Sequence, residues 1–143
     1  MELKDGLKIF VDTAPIIYFI EEHPVYANKV EDIFNRTSKG TLQVVTSAIT
    51  LIEVLTKPYK LGQSDLVNTY RDFFLNSKGF SVMDINLDIA ELTARIRAEF
   101  GFKLPDALQL AVFEHNICDY FLTNDKQLSA YDKSRIYVLD ENC

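Results

Sequence analysis

Short apolar runs alternate with longer helical patterns along this 143-residue sequence. The apolar runs predict five strands, over residues 7–12, 42–46, 80–85, 119–123 and 135–139. Helical patterns of ten or more residues separate most of these runs. Connections of that length suit crossovers between parallel strands. The sequence therefore predicts an α/β fold, a three-layer α/β/α sandwich with a mainly parallel central sheet.

Turn and capping residues bound the predicted helices. The helices are expected over residues 15–22, 26–38, 48–56, 66–76, 87–100 and 104–115, with a short helix or turn over 125–131. Ser47 is a candidate N-cap for the third of these helices, and Pro58 is expected to end it. Pro105 suits the first turn of its helix, and Gly101 suits the end of the helix before it.

Composition indicates a globular, intracellular chain. Hydrophobic residues make up 48% of the sequence and charged residues 25%, and the length suits one domain over residues 1–143. The only cysteines, Cys118 and Cys143, argue against a disulfide framework and favour a reducing cytoplasm. The longest apolar stretch, residues 14–20, is shorter than the roughly 20 residues that a membrane helix needs. The N-terminal "MELKDGLK" has no signal-peptide pattern, so we expect a cytoplasmic protein.

Four acidic residues lie where a parallel sheet would gather them, because sites in such sheets form beyond the carboxyl ends of the strands. They are Asp12, Glu53, Asp106 and Asp125. Each also has an ordinary structural interpretation. Asp12 and Asp125 suit helix caps or turns, Asp106 complements a helix dipole, and Glu53 suits an ion pair with a nearby Lys or Arg.

Glu53 stands out among these acids because the helix around it is apolar on nearly every side. Such a helix is expected to be buried. Burying an unpaired carboxylate costs several kcal/mol, so Glu53 would need a cation, a proton or a solvent-filled cleft.

A cluster of four acids requires compensation for its charge. Two carboxylates about 4 Å apart repel by roughly 4 kcal/mol at an effective dielectric constant of 20. No excess of Lys or Arg lies beside these acids in the sequence. A hard divalent cation, Mg²⁺ or Mn²⁺, held by carboxylate oxygens and water, is the simplest way to balance the charge.

Four motifs carry a family resemblance: "FVDTAPIIYFIE", "TSAITLIEVL", "LPDALQLA" and "FLTNDKQL". In this order they resemble the PIN-domain family, most closely the VapC-type toxin ribonucleases of bacterial and archaeal toxin–antitoxin pairs. The resemblance spans nearly the whole chain and implies a parallel sheet between helical layers. It also implies that the acids named above are the family's metal-binding quartet and that Thr123 is the hydroxyl residue often found near it. Ala14 departs from the pattern, because many VapC sequences have serine there.

The activity implied by the resemblance is metal-dependent endoribonuclease cleavage of RNA. One or two Mg²⁺ or Mn²⁺ ions would activate water, leaving 5′-phosphate and 3′-hydroxyl ends. The expected partners are an RNA substrate, a second copy of the chain in a homodimer, and a VapB-type antitoxin that covers the cleft. A free-standing PIN nuclease for RNA processing or quality control is an alternative. A non-catalytic scaffold that binds RNA or protein is another, although its usual mark would be a lost acid.

Residues needed for several other chemistries are missing from the expected positions. Metal-free ribonucleases commonly use a histidine pair, but His23 and His115 both fall at predicted helix ends, where surface or capping roles are expected. A Cys–His nucleophile has no support at Cys118 or Cys143. A haloacid-dehalogenase phosphatase would need an acid at Ala14.

A response-regulator receiver would need adjacent acids after the first strand, but Thr13 follows Asp12. Asp119 is a further acid near the last motif, but it lies at the start of its predicted strand, so it is expected at the opposite end of the sheet.

The net charge of −6 argues against nucleic-acid binding, since phosphate binding usually needs a basic surface. A bridging cation could instead carry the scissile phosphate. Basic residues in or near predicted loops and element ends are candidate groove residues, each with an ordinary solvated charge as the alternative. They are Lys57, Lys60, Lys103, Lys126 and Arg135.

Overall fold

The computed structural model describes residues 2–142, with side chains described for residues 2–140. Cys143 lies outside the described residues. All five predicted strands are present: β1 (Lys8–Val11), β2 (Gln43–Ser47), β3 (Phe80–Met83), β4 (Tyr120–Thr123) and β5 (Ile136–Val138). They form one sheet in the order β3-β2-β1-β4-β5, and every neighbouring pair is parallel. The prediction of a mainly parallel sheet is confirmed.

The predicted helices are also present, and one short helix was not predicted. The helices are α1 (Thr13–Ile20), α2 (Ala27–Ser38), α3 (Ala48–Lys60), α4 (Ser64–Asn76), α5 (Leu87–Phe100), α6 (Leu104–His115) and α7 (Leu139–Asn142), with a 3₁₀ helix over Lys126–Ala130. Within the described chain, none of these helices has both the length and the apolar composition needed to cross a membrane.

Alternating side chains of the central strand separate two hydrophobic cores. Ile9 and Val11 of β1 belong to the core that includes residues of α1 to α4 and α7. Phe10 points to the opposite side, where it belongs to the core formed with α5, α6 and the 3₁₀ helix. All three side chains are fully buried. Because neighbouring residues of a strand face opposite sides of a sheet, this pattern confirms the three-layer α/β/α arrangement.

Helix α3 does not end before Pro58, as the sequence had suggested, but continues to Lys60. Pro58 lies in the last turn, so its missing N–H removes a hydrogen bond only near the end of the helix. Pro58 is buried, and its carbonyl accepts a hydrogen bond from the Gln63 N–H at 2.9 Å. The Leu61 N–H bonds the Lys57 carbonyl at 3.0 Å. The helix end is therefore completed beyond the proline.

The expectation that α3 is buried on nearly every side is also wrong. Ile52 is 60% exposed, and its neighbour Glu53 is exposed as well. Val54 is buried in the core. Helix α3 therefore has one side that packs on the core and one side that faces solvent, and Glu53 lies on the solvent-facing side.

The predicted fifth strand ends one residue early, because Leu139 begins α7. Leu139 is 1% exposed and packs in the same core as Ile9. An apolar side chain was thus correctly expected to be buried there. It is buried by a short helix that follows the strand.

The chain adds strands to one side of β1 first and to its other side later. From β1 the chain moves to β2 and β3 on one side, and later returns to β4 and β5 on the other. Val11 pairs with Leu122 in the register between β1 and β4, and the Asp12 N–H donates to the Leu122 carbonyl at 2.9 Å. Asp12 and Thr123 therefore emerge side by side at the carboxyl ends of these strands, where parallel sheets form ligand-binding crevices.

Candidate functional site

Asp12 is half-buried, and both of its carboxylate oxygens accept hydrogen bonds. Oδ1 accepts the Thr13 N–H at 2.9 Å and the Gln109 Nε2–H at 3.3 Å, while Oδ2 accepts the Thr123 hydroxyl at 2.8 Å. Asp12 is also the N-cap of α1, so its ordinary structural interpretation is correct too.

Burial raises the pKa of Asp12 above its ordinary value of 3.8, and the charge of Glu53 adds to the rise. Hydrogen bonds from Thr13, Thr123 and Gln109 act in the opposite direction, because they favour the carboxylate. The structure thus holds a half-buried carboxylate among hydrogen-bond donors.

Glu53 faces Asp12 from α3 and lies in the cleft. Its Oε1 accepts a hydrogen bond from the Thr13 hydroxyl at 2.8 Å. None of the ion pairs among the described side chains involves Glu53, so the alternative of a structural Lys or Arg partner is not observed. Glu53 is exposed and lines the cleft, so this carboxylate is not buried without access to solvent or a cation.

Asp106 enters the cleft from the first turn of α6. It is the third residue of the helix, which begins at Leu104 as predicted. Burial raises the pKa of Asp106, and the charges of Asp125 and Asp12 raise it further, while Lys103 lowers it. Asp106 is therefore within electrostatic range of two other members of the predicted quartet.

Asp125 follows β4 and has the expected capping role. Its Oδ1 accepts the Gln127 N–H at 3.0 Å, at the start of the 3₁₀ helix. Its own N–H donates to the Thr123 hydroxyl oxygen at 3.0 Å. The effect of Asp125 on the pKa of Asp106 places its charge near the cleft.

The cleft has a volume of about 220 Å³. It is lined by Asp12, Thr13, Ala14, Ile17, Glu53, Pro105, Asp106 and Gln109. Three of the four predicted acids thus line one cleft, and Asp125 lies beside it rather than in its lining. The predicted hydroxyl residue, Thr123, is also present, bonded to Asp12.

The donor chemistry of this cleft suits a hard divalent cation, because carboxylate oxygens are the ligands that Mg²⁺ and Mn²⁺ prefer. Burial raises the pKa of Asp106, and the charges of Asp125 and Asp12 add to the rise, which a bound cation would oppose. However, among the side chains of residues 2–140 no three of Asp, Glu, His or Cys are grouped closely enough to hold a metal ion. The residues therefore fit the cation in chemical kind, without forming a finished coordination shell.

Sequence reasoning missed Gln109, which is buried beneath the cleft with only 2% of its surface exposed. Its side chain bonds Asp12, Thr50 and Ser47. The available signal was a polar residue three positions after Asp106, among the buried apolar residues of α6. Ser47 itself was predicted correctly as the N-cap of α3, where it accepts the Ile49 N–H.

The basic residues suggested for RNA binding have different outcomes. Lys57, Lys103 and Lys126 are exposed, at the end of α3, before α6 and at the start of the 3₁₀ helix respectively. Lys60 is likewise exposed, in the last turn of α3.

The suggestion is wrong for Arg135. It immediately precedes β5, at the amino end of the sheet and away from the cleft. Its guanidinium pairs with Glu114 at 2.5 Å and with Asp132 at 2.7 Å. Its charge therefore has a structural role.

Several exclusions made from the sequence are consistent with the structure. His23 Nδ1 accepts the N–H groups of Val25 and Tyr26 at 3.1 and 3.2 Å, which is a capping role. Burial raises the pKa of the Cys118 thiol to about 12, so it remains protonated at neutral pH. Asp119 Oδ2 accepts the N–H of Lys8 at 2.8 Å, at the start of β1, which confirms its place at the opposite end of the sheet.

Solved structures with the same fold include toxin–antitoxin complexes. The DNA-bound VapBC complex of Salmonella typhimurium has a chain with a TM-score of 0.74 and 21% identity, covering 93% of this chain and 98% of that one. A VapBC2 chain of Rickettsia felis, from a complex bound to a promoter DNA fragment, has a TM-score of 0.71 and 16% identity, covering 92% and 98%.

A third similar structure is VapC20 of Mycobacterium tuberculosis, described as a toxin that cleaves the sarcin-ricin loop. It has a TM-score of 0.70 and 18% identity, covering 87% of this chain and 95% of that one. At such identities the likeness shows a shared fold. A search of curated proteins by sequence returns no match. The family model for the PIN domain matches residues 9–134, which is most of the chain. The chain therefore belongs to the PIN domain family.

Proposed function

We propose that the protein is a metal-dependent endoribonuclease, the toxin of a VapBC-type pair, acting in the cytoplasm. The observation that carries this proposal is the meeting of Asp12, Glu53 and Asp106 in one cleft at the carboxyl end of the sheet. Membership of the PIN family and the shared fold with VapC toxins support it. The retention of all four acids makes a purely structural scaffold the weaker alternative.

The proposed ligands of the cation are Asp12, Glu53, Asp106 and Asp125. When bound, Mg²⁺ or Mn²⁺ would supply Lewis acidity and an activated water for hydrolysis of the phosphodiester. The chain itself prepares this site with hydrogen bonds. The Thr13 N–H and the Thr123 hydroxyl orient the Asp12 carboxylate, and the Thr13 hydroxyl orients Glu53.

Glu53 is the candidate general base. It is exposed in the cleft, whereas Asp12 is half-buried and has hydrogen bonds to both oxygens. A solvent-accessible carboxylate beside the metal ligands is suited to orient the attacking water and accept its proton. Glu53 would therefore act either in this way or as a further ligand.

RNA is the proposed substrate, although the chain is acidic. Lys103 is exposed and close enough to Asp106 to lower its pKa. Lys57 and Lys126 are also exposed, and we propose all three as contacts to the RNA backbone. A few cations near the cleft would hold flanking phosphates, while the scissile phosphate would be bound at the acids through the metal.

A VapB-type antitoxin and a second copy of this chain are the proposed protein partners. Support comes from the similar structures, which include VapBC complexes. A free-standing RNA-processing nuclease would use the same cleft chemistry without an antitoxin. The two proposals differ in what expression of the protein does to a cell.

Cleavage assays test the chemistry directly. Purified protein should cut members of an RNA panel with Mg²⁺ or Mn²⁺ and should be inactive with EDTA. Asp12→Asn and Asp106→Asn should each abolish cleavage. Asp119→Asn is the matched control, because it changes an acid at the opposite end of the sheet and should leave cleavage intact. Activity that survives EDTA, or that is unchanged in both cleft variants, would refute the proposal.

Expression in bacteria tests the toxin assignment. The native chain should arrest growth, Asp12→Asn should not, and co-expression of the small protein encoded beside it should restore growth. RNA cleavage in vitro without growth arrest would favour the free-standing nuclease.

A further inference from the structure

Gln109 has a side-chain amide whose hydrogen-bonding groups are all used inside the fold. Its Nε2 donates to Thr50 Oγ1 at 2.7 Å and to Asp12 Oδ1 at 3.3 Å. Its Oε1 accepts the Ser47 hydroxyl. A buried amide is stable when its donors and acceptor are satisfied in this way. Asp12 is therefore one part of a buried polar network.

The partners of this amide determine which way it points. Ser47 Oγ accepts the Ile49 N–H, so the hydroxyl proton is available for Gln109 Oε1. Rotating the amide by half a turn would place Oε1 against the Asp12 carboxylate, where two hydrogen-bond acceptors would repel each other. The donor end of Gln109 is therefore held towards Asp12.

The network also connects the amide to the strands. Thr50 Oγ1 lies 2.7 Å from Thr46 Oγ1, which in turn lies 2.8 Å from the backbone carbonyl of Val11. Thr46 and Thr50 are both fully buried. The side chain of Gln109 is thus fixed relative to β1, β2 and α3 as well as to its own helix.

The Asp12 carboxylate is held from three directions. Thr13 and Gln109 donate to Oδ1, and Thr123 donates to Oδ2. An ionised carboxylate has about four acceptor positions, so these three bonds leave little freedom for the remaining one. The direction in which Asp12 can bind a further ligand depends on all three donors.

We propose that Gln109 is a positioning residue that fixes the Asp12 carboxylate for binding a divalent cation in the cleft. The proposal rests on the proposed function, in which Asp12 is a metal ligand. Gln109 acts through Asp12, because its two Nε2 hydrogens already bond Asp12 and Thr50. Groups that orient a metal ligand in this way typically change metal affinity or activity by about 10- to 100-fold when they are removed.

Calorimetric titration of the purified full chain with Mn²⁺ tests this role without an activity assay. Gln109→Met keeps the length of the side chain but removes its donors, and it should weaken Mn²⁺ binding by about 10-fold or more. Thr50→Val preserves Gln109 but removes its second anchor, so it should produce a smaller loss in the same direction. It carries the test if Gln109→Met does not fold.

Thr37→Val is the matched control. Thr37 is buried on α2, and its hydroxyl donates to the Ile33 carbonyl at 2.7 Å. The substitution removes a buried hydrogen bond outside the cleft lining, so it should lower stability without changing Mn²⁺ affinity. All titrations are made at a temperature at which circular dichroism shows each variant folded.

The outcomes separate this proposal from the nuclease assignment. Unchanged Mn²⁺ affinity in folded Gln109→Met, with RNA cleavage by the native chain, overturns the role of Gln109 alone. Weakened Mn²⁺ binding in Gln109→Met, with no RNA cleavage by the native chain, supports that role and overturns the proposed function. Failure of the native chain to bind Mn²⁺ overturns both. Equal losses in Gln109→Met and Thr37→Val would show a general effect of stability and also overturn the proposal.

Discussion

The Thr123 hydroxyl donates a hydrogen bond to Asp12 Oδ2 at 2.8 Å, joining the end of β4 to the end of β1. The Thr123 hydroxyl oxygen in turn accepts the Asp125 N–H at 3.0 Å. Thr123 is fully buried, so this hydroxyl has little access to water. One side chain thus fixes the carboxylate of one predicted ligand and the backbone of another.

Thr123→Val should weaken Mn²⁺ binding by about 10-fold, because it removes a donor that orients Asp12. It should also lower the free energy of unfolding by about 1–3 kcal/mol, since the half-buried Asp12 carboxylate and the Asp125 N–H each lose a hydrogen-bond partner. Thr123→Ser keeps the hydroxyl and should retain most of the affinity. Calorimetric titration and urea denaturation measure the two effects. Equal Mn²⁺ affinities in the Val and Ser variants would contradict this role of the hydroxyl.

Asp106→Asn should stabilise the metal-free chain at pH 7 while removing its response to Mn²⁺. Burial and the charges of Asp125 and Asp12 raise the pKa of Asp106, so its ionised form is unfavourable in the fold. A neutral amide avoids that cost, and we expect a gain of about 0.5–2 kcal/mol, typical of substitutions that relieve a functional site. Thermal unfolding with and without Mn²⁺ measures both effects.

Asp132→Asn provides a control of opposite sign for that experiment. Hydrogen bonds from Ser134 and Arg135 hold the pKa of Asp132 down at about 2, so its ionised form is favourable in the fold. The same chemical change there should lower stability and leave the Mn²⁺ response intact. A loss of stability in both variants would show that charge repulsion in the cleft is not significant.

The contribution of Asp12 and Asp106 to stability should decrease as pH rises, because the fold raises the pKa values of both groups. Burial raises the pKa of both Asp12 and Asp106 above 3.8, so the folded chain retains protons that the unfolded chain releases. Their contribution to stability is present below this value and is lost as pH rises through the folded-state pKa values. Mn²⁺ needs the deprotonated groups, so its stabilising effect should grow over the same interval.

Melting temperatures measured in steps from pH 4 to about pH 7, with and without Mn²⁺, check this expectation. The difference in melting temperature between the native chain and Asp106→Asn separates the contribution of the Asp106 carboxyl from those of the other titrating groups. That difference should increase in favour of the variant as pH rises. A difference that is constant across the interval would contradict an unfavourable charge at Asp106.

The architecture was predictable because its signals are local in the sequence. The apolar runs that became β1, β2 and β4 contain residues buried on both sides of the sheet. Ser47 and Gly101 occur where α3 begins and α5 ends. The strand-end positions of Asp12 and Asp125 follow from the parallel arrangement itself. These features need no knowledge of which distant segments touch.

The features that were missed depend on contacts between segments far apart in the chain. Gln109 acquires its significance from Ser47 and Thr50 at the start of α3 and from Asp12 after β1. Arg135 was suggested as a groove residue because it falls at the end of a predicted element, and its ion pair with Glu114 of α6 is not visible in the local sequence. The exposure of Ile52 could not be predicted from the sequence, because an apolar residue gives the same sequence signal in a core and on an exposed surface.

The charge of Lys103 should matter for RNA cleavage in a way that depends on salt. Lys103 is exposed before α6 and lowers the pKa of Asp106, so its charge is felt in the cleft. Lys103→Gln should reduce kcat/KM at low salt. If one phosphate contact to single-stranded RNA is lost, the slope of log kcat/KM against log salt concentration should become shallower by about 0.7.

Lys133→Gln is the matched control for this charge. Lys133 is exposed in the loop before β5, at the end of the sheet opposite the cleft. Removing its charge should therefore leave both kcat/KM and the salt slope unchanged. Both variants are assayed on the same RNA and with the same Mn²⁺ concentration over the salt series. Because each loses one positive charge, any difference between them reflects where the charge lies rather than the net charge of the chain. Identical salt slopes in the two variants would contradict an RNA contact at Lys103.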